Sequence, residues 1–317
     1  MTPTAALLSG IFQTYVVIVA SVLVVAGITI GVMKWVLHQQ VASIWLTYRS
    51  WLMMAPLLLG TVFAGREVWI VFVCFVAGFG VKEFSRATGL YRDWWMTGIA
   101  YLGIVAVGVT SMISQPQGEE AGPGWFGLFI VLPVYVVALI LLIPIVRNRV
   151  EGQLQSIALA IVAFIYIGWM FGHLAFLANS PNAYGYLLYV LFATEINDVA
   201  AFAAGKLLGK RPLRSNISPK KTWGGAIGAL VVSMTLPWLL RFSLPQFGTT
   251  QLILTGLIVG IGGQLGDLAI SVIKRDVGVK DMGAGIPGHG GILDRIDSLI
   301  YVAPLFFHMT AYFYELG

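Results

Sequence analysis

Acidic and basic side chains that suit phosphate chemistry are concentrated in one late segment of the chain. Asp267, Ser271 and Lys274 are spaced so that they share one face of a helix, with a carboxylate, a hydroxyl and an ammonium in a column. Asp294 and Asp297 come together if a helix starts there, and the helix dipole favours carboxylates at that end. Carboxylates beside cations suit a hard divalent cation that bridges phosphate oxygens, and Mg²⁺ is the natural choice. The cations of this segment are Lys274, Arg275, Lys280 and Arg295.

A glycine-rich loop lies between these two acidic groups. Its glycines would let backbone amides approach a phosphate closely, whereas the simpler interpretation is a flexible, charged loop in water. Zinc is not expected, because one cysteine and four scattered histidines give no tetrahedral set of ligands. The glycines are Gly283, Gly285, Gly288, Gly290 and Gly291.

Charged and amide side chains also fall inside segments that are otherwise apolar. Glu195, Asn197 and Asp198 lie in the middle of one predicted helix, and Asp267 lies deep in another. Charge inside a membrane segment is costly and marks a functional site by default. The alternative, a buried polar network that joins helices, stays open for Glu195 and Asn197. Asp198 and Asp267 are the stronger candidates, because each is followed by a basic, glycine-containing loop.

The composition requires lipid as the main solvent of the chain. It has 317 residues, of which 58% are hydrophobic and 10% charged, whereas a soluble domain carries about 25% charged residues. We predict an all-α, polytopic integral membrane protein with about nine to ten transmembrane helices. The second and third candidates are short and meet at Gly65, which suggests a re-entrant pair, and residues 38–49 before them are typical of an interfacial linker. The ten candidate spans are near 12–37, 50–65, 67–82, 94–113, 124–146, 154–178, 184–205, 222–241, 251–272 and 298–316.

Two long polar segments, 206–221 and 274–297, separate the late helices. We predict an N-terminal scaffold of membrane helices at 1–183 and a catalytic membrane region at 184–317, with the active site in its helices and loops. If successive loops alternate sides, 17 of the 19 basic residues fall on one side, and only Arg66 and Arg241 fall on the other. The positive-inside rule makes the basic side cytoplasmic, which in a bacterium implies the inner (plasma) membrane. The net charge of +5 is modest, and no nucleic-acid partner is expected.

Twelve fixed positions form a spaced pattern through the late segment: Ser271-x-x-Lys274-Arg275, Lys280-Asp281 and Pro287-x-His289-Gly290-Gly291-x-x-Asp294-Arg295-x-Asp297. This pattern resembles the signature of the phosphatidate cytidylyltransferase family, also called CDP-diacylglycerol synthases. Two upstream stretches are similar to further motifs of that family: Asp198-Val-Ala-Ala-Phe202 with Gly205 and Gly209-Lys210, and Ile217-Ser218-Pro219-Lys220-Lys221-Thr222-Trp223. Glu83-Phe84 is similar to a weaker one. Phe202 and Gly224 depart from the commoner family pattern.

The resemblance implies an Mg²⁺-dependent reaction of CTP with phosphatidate that gives CDP-diacylglycerol and pyrophosphate. The partners would be CTP, phosphatidate or a related lipid phosphate, and membrane lipids. The expected catalytic residues are Asp267, Lys274, Asp294 and Asp297. The expected metal ligands are Asp267, Asp294 and Asp297, with Asp198 as a ligand or a close neighbour. The expected substrate-binding residues are Ser218, Lys220, Lys221, Ser271, Arg275, Lys280, His289 and Arg295.

Other functions remain compatible with the sequence. A CTP-using relative that acts on a polyprenol or an ether-linked isoprenoid phosphate would keep the same nucleotide site and change only the lipid cleft. A secondary transporter also places charges in interrupted membrane helices, but it predicts paired interruptions in both halves of the chain. A catalytically silent scaffold is a third alternative, which the retained acidic residues disfavour. Formation of a homodimer stays open.

Overall fold

A computed structural model describes residues 1–38, 40–114, 122–283, 285 and 290–314, apart from the side chain of Ser43. Within these residues the chain is almost entirely helical, and its one sheet is a two-stranded hairpin. The helices of the first half are α1 (Pro3–Leu8), α2 (Gly10–Trp35), α3 (Ala42–Ala64), α4 (Arg66–Thr88), α5 (Trp94–Met112) and α6 (Phe126–Val146). The later helices are α7 (Gln153–Ile161), α8 (Phe171–Leu177), α9 (Ala183–Leu208), α10 (Trp223–Leu239), α11 (Thr249–Leu257), α12 (Gly263–Asp276) and α13 (Leu293–Tyr314). The strands are β1 (Pro212–Arg214) and β2 (Ser218–Thr222).

Two of the membrane helices contain a π-helical segment. Val162–Met170 joins α7 to α8 in one continuous span, Gln153–Leu177. Ile258–Gly262 joins α11 to α12 in another span, Thr249–Asp276. Such wider turns frequently occur at functional sites. The second segment ends directly before α12, the helix that carries Asp267.

Eight helical spans within the described residues are long and apolar enough to cross a bilayer, and they lie at eight of the ten predicted positions. The other two positions hold α10, a shorter apolar helix of 17 residues, and α3, which has 23 residues. The prediction of an all-α, polytopic membrane protein is therefore confirmed.

The expected re-entrant pair near Gly65 is wrong. Helices α3 and α4 have 23 residues each, which corresponds to about 34 Å and exceeds the hydrocarbon thickness of a bilayer. Helix α3 begins at Ala42, so most of the expected linker at 38–49 is helical as well. Gly65 separates the two helices with a φ of 116°, a conformation that favours glycine.

Small residues bring α9 and α10 close together. A Cβ added to Gly225 would lie 2.5 Å from the carbonyl oxygen of Ala201, and one added to Gly228 would overlap the Cβ of Ala204. Membrane helices commonly pack through such small residues, because lipid provides no hydrophobic drive for their association. The contact fixes the start of α10, where the Thr222 hydroxyl accepts a hydrogen bond of 3.1 Å from the Gly225 amide. The hairpin that ends at Thr222 is held in place through this junction.

Helices α12 and α13 approach each other closely at Gly266. An added Cβ there would overlap the carbonyl oxygen of Asp297. Asp267, the next residue along α12, is thereby brought beside the first turns of α13. The hairpin, the end of α12 and the start of α13 lie together at one end of the bundle, which we call the loop end (residues 209–222, 274–283, 285 and 290–297).

Candidate active site

Lys221 and Asp267 meet where the hairpin lies against α12. Lys221 is on β2, and its Nζ is 2.5 Å from Oδ2 of Asp267. The other carboxylate oxygen, Oδ1, accepts a hydrogen bond of 3.2 Å from the Ser271 hydroxyl, one turn further along α12. Asp267 and Ser271 therefore share a helix face, as their spacing predicts. Arg275 adds a second link to the hairpin, because its Nε donates to the carbonyl of Ile217 at 3.2 Å.

Lys274 does not continue this column but turns to Asp294 on α13. Its Nζ is 2.9 Å from Oδ1 of Asp294, and the two side chains are only 11% and 5% exposed. Oδ2 of Asp294 accepts hydrogen bonds of 2.9 Å from the backbone amides of both Met282 and Gly291. Both oxygens of Asp294 are thus engaged by the protein. A metal ion at Asp294 would have to displace Lys274 or a backbone amide.

Asp198 and Asp297 lie on either side of Ser298. The Ser298 hydroxyl donates to the Asp198 carboxylate, at 3.4 and 3.2 Å from its two oxygens. The Ser298 amide donates to Oδ1 of Asp297 at 2.8 Å. The carboxylates of Asp198, Asp267 and Asp297 are close enough for their charges to repel one another. The structure thus brings together three of the predicted acids, one each from α9, α12 and α13.

The two other polar residues of α9 have different surroundings. Asn197 is fully buried, and its Oδ1 accepts a hydrogen bond of 3.0 Å from the hydroxyl of Ser233 on α10. For Asn197 the helix-joining polar network is therefore what the structure shows. Glu195 is close enough to Asp198 and Arg295 for electrostatic interaction with both. It thus lies at the edge of the acidic cluster.

Oxygen ligands in this cluster have the right chemistry for Mg²⁺, which prefers carboxylates and phosphate oxygens. The carboxylates are not, however, arranged as a ready metal site: within the described part of the chain, no three His, Cys, Asp or Glu side chains are grouped as a metal ion requires. Instead an ammonium group, that of Lys221, neutralises Asp267. The donors of Asp198, Asp267 and Asp297 therefore fit the ion chemically, and Lys221 occupies an oxygen that the ion would use.

The remaining predicted substrate-binding residues that the structure describes lie at the loop end. Ser218 and Lys220 lie on β2, with Lys220 exposed. Arg275, Lys280 and Arg295 are exposed as well. Such cations are available to a polyanion that arrives from water. His289, the other predicted residue, lies outside the described residues.

The glycines of the late loop contact carboxylates in this structure. An added Cβ at Gly283 or Gly291 would overlap the side chain of Glu83, and one at Gly290 would lie 2.9 Å from Oδ2 of Asp294. Gly290 also has a φ of 79°, in the left-handed region that favours glycine. In this structure these three glycines therefore allow the backbone to turn and to pack closely against carboxylates. The sequence predicts instead that the glycines of this loop let backbone amides approach a phosphate.

Glu83 is the residue that the predicted site omits. It lies near the end of α4, and its carboxylate accepts hydrogen bonds from the amides of Ile292 and Leu293, at 3.0 and 2.9 Å. Those amides are at the start of α13, 209 and 210 residues away in sequence. The only sequence signal was the likeness of Glu83-Phe84 to a weak family motif.

Comparison with known proteins assigns the chain to a family. A sequence model of the cytidylyltransferase family matches residues 45–313, which include every residue of the cluster. Over 206 residues the chain is 38% identical to a phosphatidate cytidylyltransferase of Staphylococcus aureus, covering 64% of this chain and 76% of that protein. The chain therefore belongs to the cytidylyltransferase family.

Two further relatives match over shorter stretches. A phosphatidate cytidylyltransferase of Staphylococcus haemolyticus is 40% identical over 160 residues, or 50% of this chain and 60% of that protein. An Escherichia coli protein known as uncharacterized protein YnbB is 43% identical over 161 residues, or 48% of this chain and 54% of that protein. In these two comparisons the chain spans little more than half of the relative's length.

Proposed function

We propose that the chain is a membrane-bound nucleotidyltransferase that converts CTP and phosphatidate to CDP-diacylglycerol and pyrophosphate. The observation that carries the proposal is the acidic cluster next to the loop end, where Asp198, Asp267 and Asp297 converge beside Lys221. The cluster lies where membrane helices meet polar loops, so an amphiphilic lipid could keep its acyl chains in the bilayer while its phosphate reaches the acids and cations. The names of the two staphylococcal relatives support this substrate.

The reaction requires little acid–base chemistry from the protein. An oxygen of the lipid phosphate forms a bond to the α-phosphorus of CTP, and the bond from that phosphorus to the bridging oxygen breaks. Pyrophosphate leaves with the electron pair. Because the nucleophile is already an anion, the residues mainly hold two polyanions in line and offset the charge that develops on the leaving group.

We propose Lys221 as the principal cation for this work. It comes from the hairpin, is 26% exposed on its side chain, and already lies on a carboxylate of the cluster. Exposed Lys220, Arg275, Lys280 and Arg295 would bind further phosphate oxygens of CTP or of the lipid. Buried Lys274 acts differently, since its contact with Asp294 holds α12 against the first turn of α13.

Mg²⁺ completes the proposal as the expected cofactor. Asp198, Asp267 and Asp297 would hold it, and it would neutralise phosphate charge at the reacting centre. On this proposal Lys221 leaves Asp267 for a phosphate oxygen when substrates bind. We also propose that the loop end faces the cytoplasm, where CTP is available, because 17 of the 19 basic residues fall on that side if successive loops alternate.

A direct test supplies membranes that contain the chain with CTP radiolabelled at the α-phosphorus and one lipid phosphate at a time. Phosphatidate, a polyprenyl phosphate and an ether-linked isoprenoid phosphate form the panel, and membranes with Asp267→Asn are the control. We expect organic-soluble label with phosphatidate and wild-type protein. Label with an isoprenoid phosphate alone would overturn the lipid assignment, and no label with any of the three would overturn cytidylyl transfer.

A further inference from the structure

Glu83 connects the first half of the chain to the helix that carries two of the acids. Its Oε1 accepts the Ile292 amide at 3.0 Å and its Oε2 accepts the Leu293 amide at 2.9 Å. Helix α13 begins at Leu293, so these amides belong to the orphan donors at a helix N-terminus. A carboxylate supplied by another helix, α4, satisfies them, and its charge is favoured by the dipole of α13.

Gly283 and Gly291 lie directly against the Glu83 carboxylate. Cβ atoms added at Gly283 and Gly291 would overlap Oε1 and Oε2 of Glu83, respectively. Gly291 also contacts Asp294, because its backbone amide donates a hydrogen bond of 2.9 Å to Oδ2 of Asp294. Glu83 and Asp294 are therefore held by adjacent amides, 291 to 293, of one short segment.

Glu83 is not free to bind a metal ion or substrate in this arrangement, because both of its carboxylate oxygens are already hydrogen-bonded. Each of its two carboxylate oxygens already accepts a backbone amide. The start of α13 is likewise not free to bind a phosphate, because the amides of Ile292 and Leu293 have an anionic partner. What Glu83 does determine is where the first turn of α13 lies relative to α4.

We propose that Glu83 is a positioning residue for the transferase site: it fixes the height and rotation of the first turn of α13, and so the placement of Asp294 and Asp297. The inference rests on the proposed function. Asp294 follows Leu293 directly and receives Lys274 from α12, and Asp297 is one turn further on. Displacing that turn by about 1 Å is enough to cost about 100-fold in rate when reacting groups must be in line.

The test compares Glu83→Ala, Glu83→Gln and Glu83→Asp with a matched control, Asp93→Asn. Asp93 is also a carboxylate at a helix start: it accepts the Met96 amide at 3.4 Å at the beginning of α5, and it forms an ion pair with Arg147. Three quantities are measured on purified protein: kcat, KM for CTP, and hydrogen exchange of the backbone at 290–300.

Glu83→Ala and Glu83→Gln should lower kcat about 100-fold while KM for CTP changes less than about 3-fold. Glu83→Asp should recover part of the rate, because it keeps the charge and can reach one amide. Exchange at 290–300 should accelerate in the Ala and Gln variants and stay unchanged in Asp93→Asn, whose kcat stays within about 2-fold of wild type.

Two results would overturn the positioning role: a normal kcat per folded molecule in Glu83→Ala, or an equal loss in Asp93→Asn. If wild-type protein transfers nothing to any lipid phosphate, the proposed function fails separately. The exchange measurement then still decides whether Glu83 holds the start of α13, since unchanged exchange at 290–300 would contradict it.

Discussion

Lys221 and Asp267 form an ion pair of 2.5 Å between a hairpin outside the apolar helices and a membrane helix. The pair is partly exposed, with 26% and 30% of the two side chains accessible, so either partner can exchange for another ion without being buried alone. Magnesium and a triphosphate would supply such exchange partners, the metal for Asp267 and the phosphate for Lys221. On the proposed function, the ion pair is the point at which substrates would enter the cluster.

Replacing Lys221 tests that role. Lys221→Met should lower kcat by about 100-fold, the loss typical for removal of one group that stabilises developing charge. The matched control is Lys210→Met, which removes another exposed lysine of the loop end that lies outside the predicted site. Comparable turnover by the two variants in the radiolabelled CTP assay would contradict the assignment.

Asp294 and Asp267 should differ in what their replacement does to stability. Asp294→Asn leaves the buried Lys274 ammonium without its counter-charge, a loss of about 3 kcal/mol for a buried pair. Asp267→Asn disturbs only a partly exposed pair and should leave the thermal midpoint in detergent near the wild-type value. Both variants should lose CTP turnover. Equal midpoints for the two variants would show that the Lys274–Asp294 contact does not hold α13.

Topology can be tested by the accessibility of single cysteines. Ser215→Cys, in the exposed tip of the hairpin, and Gly285→Cys should react with an impermeant maleimide only from the cytoplasmic side. The control is Thr250→Cys, which is exposed at the start of α11. This position is at the far end of the span Thr249–Asp276 from the loop end, so it should react only from outside. The single native cysteine, Cys74, is replaced by serine in all of them. Labelling of Ser215→Cys from outside would reverse the orientation.

Metal dependence has its own prediction. EDTA should abolish CTP turnover and Mg²⁺ should restore it, because the converging acids need a divalent counter-ion once a triphosphate is bound. Asp198→Asn should raise the Mg²⁺ concentration required for half-maximal turnover, whereas Asp93→Asn should not. Full activity in EDTA would show that turnover does not depend on magnesium.

Composition and periodicity were sufficient for the fold class but not for every helix boundary. Apolar runs located all ten helical positions, because lipid-exposed helices must be apolar along their length. Helix α3 was wrongly shortened, because its first residues mix aromatic and polar side chains in the manner of an interfacial linker. The helix nevertheless begins at Ala42.

The candidate site was likewise predicted only in part from the sequence. Asp267 and Ser271 could be placed together from their spacing along one helix, since local geometry determines it. The ion-pair partners of Lys221 and Lys274 could not be predicted from the sequence, because they depend on how the hairpin and α13 pack against α12. Glu83 was the hardest to predict: it acts across more than 200 residues, and its partners are backbone amides with no side-chain signal. The division of the chain at residues 183 and 184 stays a prediction.

On the proposed function, the acids and ammonium groups of the cluster transfer a cytidylyl group from CTP to phosphatidate. The most direct measurement follows purified wild-type protein in lipid micelles with phosphatidate and Mg²⁺, and quantifies CDP-diacylglycerol and pyrophosphate together. We expect that the two products appear in equal amounts and that Asp267→Asn, folded to the same extent, produces neither. Pyrophosphate without CDP-lipid, or undiminished transfer by Asp267→Asn, would contradict it.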